Sequence, residues 1–197
     1  MNKKNLDELI INLNKNLTEI MCYVTSDYMI KSMNKEIKQK IFNNLSDAYN
    51  FLNNQKYLCI NLEILLSSKK TYSVAKRKDI QKKYNIPDNK IGKFVFNKDN
   101  IRIFMHAFNI FYISDYYYIC QSWKDHHEYK IIYKLNHDNY RKFIKKLIKY
   151  IKNYNTDPVK LFKLFKITSM SDQENNLVKF YLDYKLDYNM NMNIYYV

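Results

Sequence analysis

Apolar residues in the first third of the chain recur at steps of three and four, over residues 6–24 and again over residues 37–52. This spacing places them on one side of a helix. It predicts two amphipathic helices joined around residues 25–34. The apolar run at residues 57–66 is predicted to continue this helical part of the chain.

Beyond residue 93 the pattern changes to short runs of aromatic and β-branched residues, which are typical of strands. The helical spacing returns at residues 138–154, with apolar residues on one side and basic residues on the other. Residues 159–167 are predicted as a strand or a short helix, and the tail from residue 177 as a helix with a frayed end. The predicted strands are residues 94–96, 101–104, 110–113, 116–119 and 129–135.

These elements predict an α+β fold with a helical N-terminal half, a small sheet in the middle and a basic amphipathic helix near the C-terminus. Residues 1–70 are interpreted as a helical scaffold. Residues 71–197 are interpreted as a basic α+β region, and the two parts can equally form one single domain. At 197 residues the chain is long enough to bury a substantial core.

The scarcity of glycine excludes several kinds of enzyme. The chain contains one glycine, Gly92, and two prolines. Walker loops, dinucleotide-binding turns, EF-hands and hydrolase nucleophile elbows all need glycine at fixed positions. We therefore expect no such site and no bound cofactor.

The positive charge is concentrated in two blocks. The net charge is +14, with 30 lysines against three arginines, a bias typical of A+T-rich genomes such as those of viruses or mobile elements. Residues 69–98 hold ten basic and two acidic side chains, and residues 124–166 hold twelve and four, so each block carries +8. This concentration predicts a surface that faces an anionic partner. The alternative is two lysine-rich faces that are simply solvated.

Residues 75–96, AKRKDIQKKYNIPDNKIGKFVF, carry the spacing of a two-helix DNA-binding element. They resemble the helix-turn-helix family, in which apolar residues flank a turn that needs a left-handed backbone. Asn85 stands at that turn, and asparagine tolerates this conformation well. Two ordinary core-packed helices give the same spacing. The matching positions are Ile80, Tyr84, Asn85, Ile86, Ile91 and Phe94.

The resemblance implies two sets of contacts with duplex DNA. The first set would face the major groove, where asparagine can read adenine and lysine can read guanine. The second set would contact phosphates. The groove-facing residues would be Asp88, Asn89, Lys90 and Lys93, and the phosphate contacts Lys76, Arg77, Lys82 and Lys83.

Asp115, Glu128 and Lys130 suggest an enzymatic alternative. Their arrangement resembles the core of PD-(D/E)xK nucleases, in which two carboxylates hold a divalent metal and a lysine supports the attacking water. Carboxylates at the edge of a sheet would produce the same pattern.

The remaining histidines and cysteines are interpreted as structural. The spacing of His106, His126, His127 and His137 fits no zinc module. Three widely separated cysteines indicate reduced thiols and an intracellular setting. Neither a leader peptide nor a transmembrane segment is recognisable.

The sequence thus predicts a nucleic-acid-binding protein without catalysis, whose partner is duplex DNA bound through residues 75–96. A homodimer is compatible with this prediction. Two alternatives remain open: the metal-dependent nuclease, and a non-catalytic interaction protein of a viral or mobile-element program.

Overall fold

The structure is a computed structural model that describes the backbone of most of the chain. The described residues are 1–16, 22–33, 35–66, 74–85, 101–122, 128–154, 156–167, 176, 179, 183 and 188–197. Side chains are described at these positions except at residues 65–66, 74–77, 101–105 and 188–189.

The described residues form six helices and six strands, which are interspersed along the chain. The helices are α1 (Lys3–Asn16), α2 (Cys22–Lys31), α3 (Leu45–Leu52), α4 (Val74–Tyr84), α5 (His137–Lys152) and α6 (Val159–Leu164). The strands are β1 (Lys38–Phe42), β2 (Tyr57–Leu66), β3 (Ile101–Ile113), β4 (Tyr116–Ser122), β5 (Tyr129–Leu135) and β6 (Tyr188–Tyr196).

All six strands belong to one sheet in the order β1-β6-β2-β3-β4-β5. The C-terminal strand β6 therefore lies between β1 and β2. It pairs antiparallel with β1, and β4 pairs antiparallel with both β3 and β5. Ser114 and Asp115 connect β3 to β4 with φ angles of 47° and 67°, as a two-residue type I′ hairpin turn requires.

By contacts, the chain divides into two compact units, each assembled from segments that are distant in sequence. The first unit comprises Met1–Leu62, Met105–Ile148 and Asn191–Val197. The second comprises Glu63–Phe104 and Lys149–Met190.

In the first unit, helices cover both faces of the sheet. Tyr117 and Tyr118 are neighbours on β4 and so point to opposite faces. Tyr118 lies in a buried cluster with Leu6 and Leu13 of α1 and Met29 of α2. The Tyr117 ring stacks on Tyr140 of α5, with centroids 3.7 Å apart.

In the second unit, the described core is formed by aromatic and aliphatic side chains of α4, α6 and the segments beside them. Ile80 and Tyr84 are the buried residues of α4. The remaining buried residues are Ile64, Ile151, Tyr154, Pro158, Leu161, Phe162, Leu164, Phe165, Ile167 and Met190.

The predicted helical N-terminal half is wrong. Residues 57–66, predicted as a helix, form strand β2. A continuous apolar run fits a buried helix and a buried strand equally well, and here successive residues are buried on both faces of the sheet.

The predicted helix at residues 37–52 is also wrong, because it combines two elements. Residues 38–42 are strand β1, and α3 begins only after Asn44. The side chain of Asn44 accepts a hydrogen bond from the Ser46 amide at 2.8 Å and so caps the new helix. In addition, Thr25 and Ser26 lie inside α2 rather than in a connection.

The sheet is larger than predicted, and the chain does not end in a frayed helix. Residues 188–196 are a strand inside the sheet, paired with β1 about 150 residues earlier in the chain. The strands at residues 116–122 and 129–135 and the helix at residues 137–152 confirm the corresponding predictions.

Candidate nucleic-acid interface

Helix α5 is anchored in the core by one continuous side. Its residues Tyr140, Ile144, Leu147 and Ile151 have no solvent exposure. The hydroxyl of Tyr140 donates to the Leu52 carbonyl of α3 at 2.7 Å. At the start of the helix, the side chain of Asn136 accepts a hydrogen bond from the Asn139 amide at 2.9 Å. The helix is therefore held at its first turn and along its apolar side.

The opposite side of α5 carries a basic strip, which we define as Arg141, Lys142, Lys145 and Lys146. All four side chains are exposed. At about 100° of rotation per residue they fall within an arc of about 140°. The last turn adds two further exposed lysines, Lys149 and Lys152.

Nothing in the described part of the chain neutralises the basic strip. None of its four residues takes part in an ion pair there. Asp138, in the first turn, is the sole acidic residue of the helix. Burial raises the pKa of Tyr117 beneath the helix, and the positive charge of Arg141 opposes this rise. The strip thus presents uncompensated positive charge on a fixed backbone.

The apolar side of α5 is not available to a membrane. An interfacial helix inserts its apolar side between lipids, whereas here that side is already buried in protein. None of the helices within the described residues is long and apolar enough to cross a bilayer.

Helix α4 holds the first half of the predicted helix-turn-helix element. It ends at Tyr84, and Asn85 follows with a φ angle of 46°. The left-handed backbone predicted for Asn85 is thus present. Such a residue also ends many ordinary helices, so this geometry suits both interpretations of the segment.

The predicted phosphate contacts on α4 differ in their surroundings. Lys82 and Lys83 are exposed in the last turn. The Lys83 ammonium lies 3.5 Å from the Asp183 carboxylate, to which Tyr84 also donates a hydrogen bond. The Tyr84 hydrogen bond and then the Lys83 charge hold the pKa of Asp183 below its ordinary value.

The other predicted contacts cannot be placed at side-chain level. Lys76 and Arg77 belong to α4, but their side chains are not described. Asp88, Asn89, Lys90 and Lys93 lie wholly outside the described residues.

The carboxylates of the nuclease alternative lie at opposite ends of a hairpin. Asp115 immediately precedes β4 and Glu128 immediately precedes β5, and these strands are antiparallel with Ser122 opposite Tyr129. The length of β4, seven residues, separates them by about 23 Å. Asp115 accepts a hydrogen bond from Tyr112 at 3.0 Å, and Glu128 pairs with Lys130 at 3.1 Å. The structure therefore does not bring the two carboxylates together around one metal ion.

The cysteines and histidines within the described ranges form no metal site either. Cys22, Cys59 and Cys120 are free thiols, and burial raises the pKa of each. His106 is buried in the sheet, and His137 is exposed at the start of α5. His126 and His127 are outside the described residues.

Sequence reasoning missed a buried polar network between α2 and the sheet. Asn109 of β3 donates to the Ser26 carbonyl at 3.0 Å and accepts from the Tyr129 hydroxyl. Thr25 and Ser122 share a hydrogen bond of 2.8 Å. The one signal available was an asparagine within the apolar stretch of β3.

Comparisons of the chain with models of protein families, with curated proteins and with solved structures gave no match in any of the three.

Proposed function

We propose that the protein binds nucleic acid, with duplex DNA as its partner, and that the basic strip of α5 contacts the phosphates. The observation that carries this proposal is the strip itself: four exposed cations that have no ion-pair partner among the described residues, on a helix whose other side is fixed in the core. Phosphate contacts by lysine and arginine supply most of the sequence-independent affinity of DNA-binding proteins.

The anchoring of α5 supports the proposal because it fixes where the charges lie. Lysine and arginine side chains remain flexible, but the helical backbone that carries them is held by buried residues and by the Tyr140 hydrogen bond. A random excess of lysine from codon bias would be spread over the surface. On α5 the basic residues are concentrated on one side of the helix, with no acidic residue from position 139 to position 152.

The helix-turn-helix element at residues 75–96 belongs to the same proposal as a second DNA contact. Exposed Lys82 and the left-handed turn at Asn85 support it. Its test is the charge-reversal pair Lys90→Glu and Lys93→Glu, which we expect to abolish retention on DNA.

The test of the α5 contact is retention on mixed-sequence duplex DNA as a function of salt. We expect Lys142→Glu combined with Lys146→Glu to weaken binding by tenfold or more at about 0.1 M salt, since two phosphate contacts become repulsive. The matched control is Lys15→Glu combined with Lys38→Glu. It makes the same change in net charge at two exposed lysines on α1 and β1, and should change binding little.

Two results would contradict the proposal. One is binding of the unmodified protein that is absent or insensitive to salt. The other is equal weakening by the α5 pair and the control pair, because total charge would then matter and position would not.

An intracellular location and a homodimeric state complete the proposal. Free thiols at Cys22, Cys59 and Cys120 suit a reducing compartment. Sedimentation of the protein with and without a short duplex measures how many copies bind each DNA molecule.

A further inference from the structure

We infer that the basic strip of α5 binds the sugar–phosphate backbone of a double helix without reading its base sequence. This inference rests on the proposed function and names the form of nucleic acid that this one site recognises. It concerns α5 alone and does not depend on whether residues 75–96 bind DNA.

The side chains on the strip suit phosphate and lack the chemistry for most bases. Adenine is read by asparagine or glutamine, cytosine by a carboxylate and the thymine methyl by an apolar side chain. From residue 141 to residue 152 the exposed side chains are one arginine and five lysines. The lysine ammonium is a strongly hydrated point charge on a flexible stem, which matches any phosphate oxygen.

The spacing of the strip along the helix is close to two phosphate steps of a DNA strand. Arg141 and Lys145, and likewise Lys142 and Lys146, are four residues apart, which is about 6 Å along the helix. Phosphates on one DNA strand advance about 3.4 Å per base pair along the axis. The two pairs of side chains can therefore contact up to four phosphates at once.

A duplex fits the strip better than a single strand. Proteins that bind single strands combine a basic groove with exposed aromatic rings on which bases stack. Of the three tyrosine and phenylalanine residues of α5, Tyr140 and Phe143 are buried, with Tyr140 stacked on Tyr117. Tyr150, one turn beyond Lys146, is half-buried, so none of these three rings is fully exposed. A duplex also carries twice the phosphate charge per unit length, one per about 1.7 Å.

The test measures salt dependence on two duplexes of equal length, one A·T-rich and one G·C-rich. Lys142→Gln combined with Lys146→Gln removes charge without adding repulsion. We expect the slope of log K against log salt to become shallower by about 2, because each lost phosphate contact accounts for about 0.9. The weakening should agree within about twofold on the two duplexes. Lys15→Gln combined with Lys38→Gln should leave the slope unchanged.

Single-stranded DNA of the same length, duplex RNA and vesicles containing anionic lipid serve as competitors. We expect duplex RNA to compete and the other two to compete weakly. Thermal unfolding of each variant shows that it is folded.

The outcomes separate the inference from the proposed function. A variant that weakens one duplex much more than the other, an unchanged slope, or tighter binding of single strands would overturn the inference and leave nucleic-acid binding standing. Retention on vesicles without retention on any nucleic acid would overturn both.

Discussion

At the scale of single residues, the near absence of glycine changes which side chains make the turns. Among the described residues, four positions have a positive φ angle, and none of them is glycine. After glycine, short polar residues tolerate this conformation at the lowest cost. Asparagine, serine and aspartate therefore fill three of the four positions, and a lysine fills the fourth. The four residues are Asn85, Ser114, Asp115 and Lys166.

His106 is a residue whose burial has a measurable consequence. It has no solvent exposure, and its Nε2 lies 2.7 Å from the side-chain oxygen of Gln121, which accepts the hydrogen bond. Burial lowers the pKa of His106 from 6.5 to about 4, and the bond to Gln121 only partly offsets this. The folded protein therefore holds this imidazole neutral at physiological pH.

We predict that the free energy of unfolding falls as the pH drops from about 6.5 towards 4. In that window His106 binds a proton in the unfolded chain but stays neutral in the folded protein, so acid favours unfolding. From pH 7 to pH 5 the loss should be about 2 kcal/mol. Urea unfolding across this range measures it. His106→Gln should flatten the dependence, and the exposed His137→Gln should preserve it. An equal pH dependence in both variants would show that another group is responsible.

At the scale of elements, β6 is an internal strand that connects the edge strand β1 to the rest of the sheet. It lies between β1 and β2, and among the described strands it is the one that pairs with β1. Ile194 has no solvent exposure and lies opposite Lys40 of β1. Asn193, its neighbour on the other face, is half-buried and bonds to Gln39.

We predict that Ile194→Asp lowers the free energy of unfolding by more than about 3 kcal/mol, because it buries an unpaired carboxylate. Asn193→Asp adds the same charge one residue away and should cost less than about 1 kcal/mol, since its oxygen still accepts from Gln39. Thermal or urea unfolding compares the two. Similar, small losses in both would mean that residues 188–196 do not form an internal strand.

Sequence patterns predicted the elements whose packing is local and failed where pairing is distant. The helix at residues 137–152 was predicted because a single period separates its apolar side from its basic strip. The hairpin formed by β4 and β5 follows from short runs that are close in sequence. By contrast, β2 is buried on both faces and so lacks the alternation that marks a strand.

For the candidate site, the sequence predicted where the charged residues lie along the chain but not which residues of neighbouring strands lie opposite each other. The exposed cations of α5 and the left-handed Asn85 could both be predicted from local pattern. The separation of Asp115 from Glu128 could not, because it depends on which residues of β4 and β5 lie opposite each other. Residue spacing alone left two alternatives open, a metal-binding pair and two carboxylates at the edge of a sheet.

At the scale of the whole molecule, the net charge of +14 acts on stability as well as on binding. Like charges repel in the folded state more than in the expanded chain, and salt screens this repulsion. The described ion pairs that salt would also weaken lie at exposed or half-buried positions, where an ion pair contributes little to stability. The screening of repulsion should therefore dominate the effect of salt on the free energy of unfolding.

We predict that sodium chloride stabilises the protein while it weakens binding to DNA. Raising it from about 10 to 150 mM shortens the screening length from about 30 to 8 Å and should raise the Tm by a few degrees. The charge-reversal pairs at Lys142 and Lys146 and at Lys15 and Lys38 both lower the net charge from +14 to +10. Differential scanning calorimetry should show the same smaller rise in Tm for both. DNA binding should distinguish them, because repulsion depends on total charge and phosphate contact depends on where the charge lies. A Tm that falls with salt would contradict the dominance of repulsion.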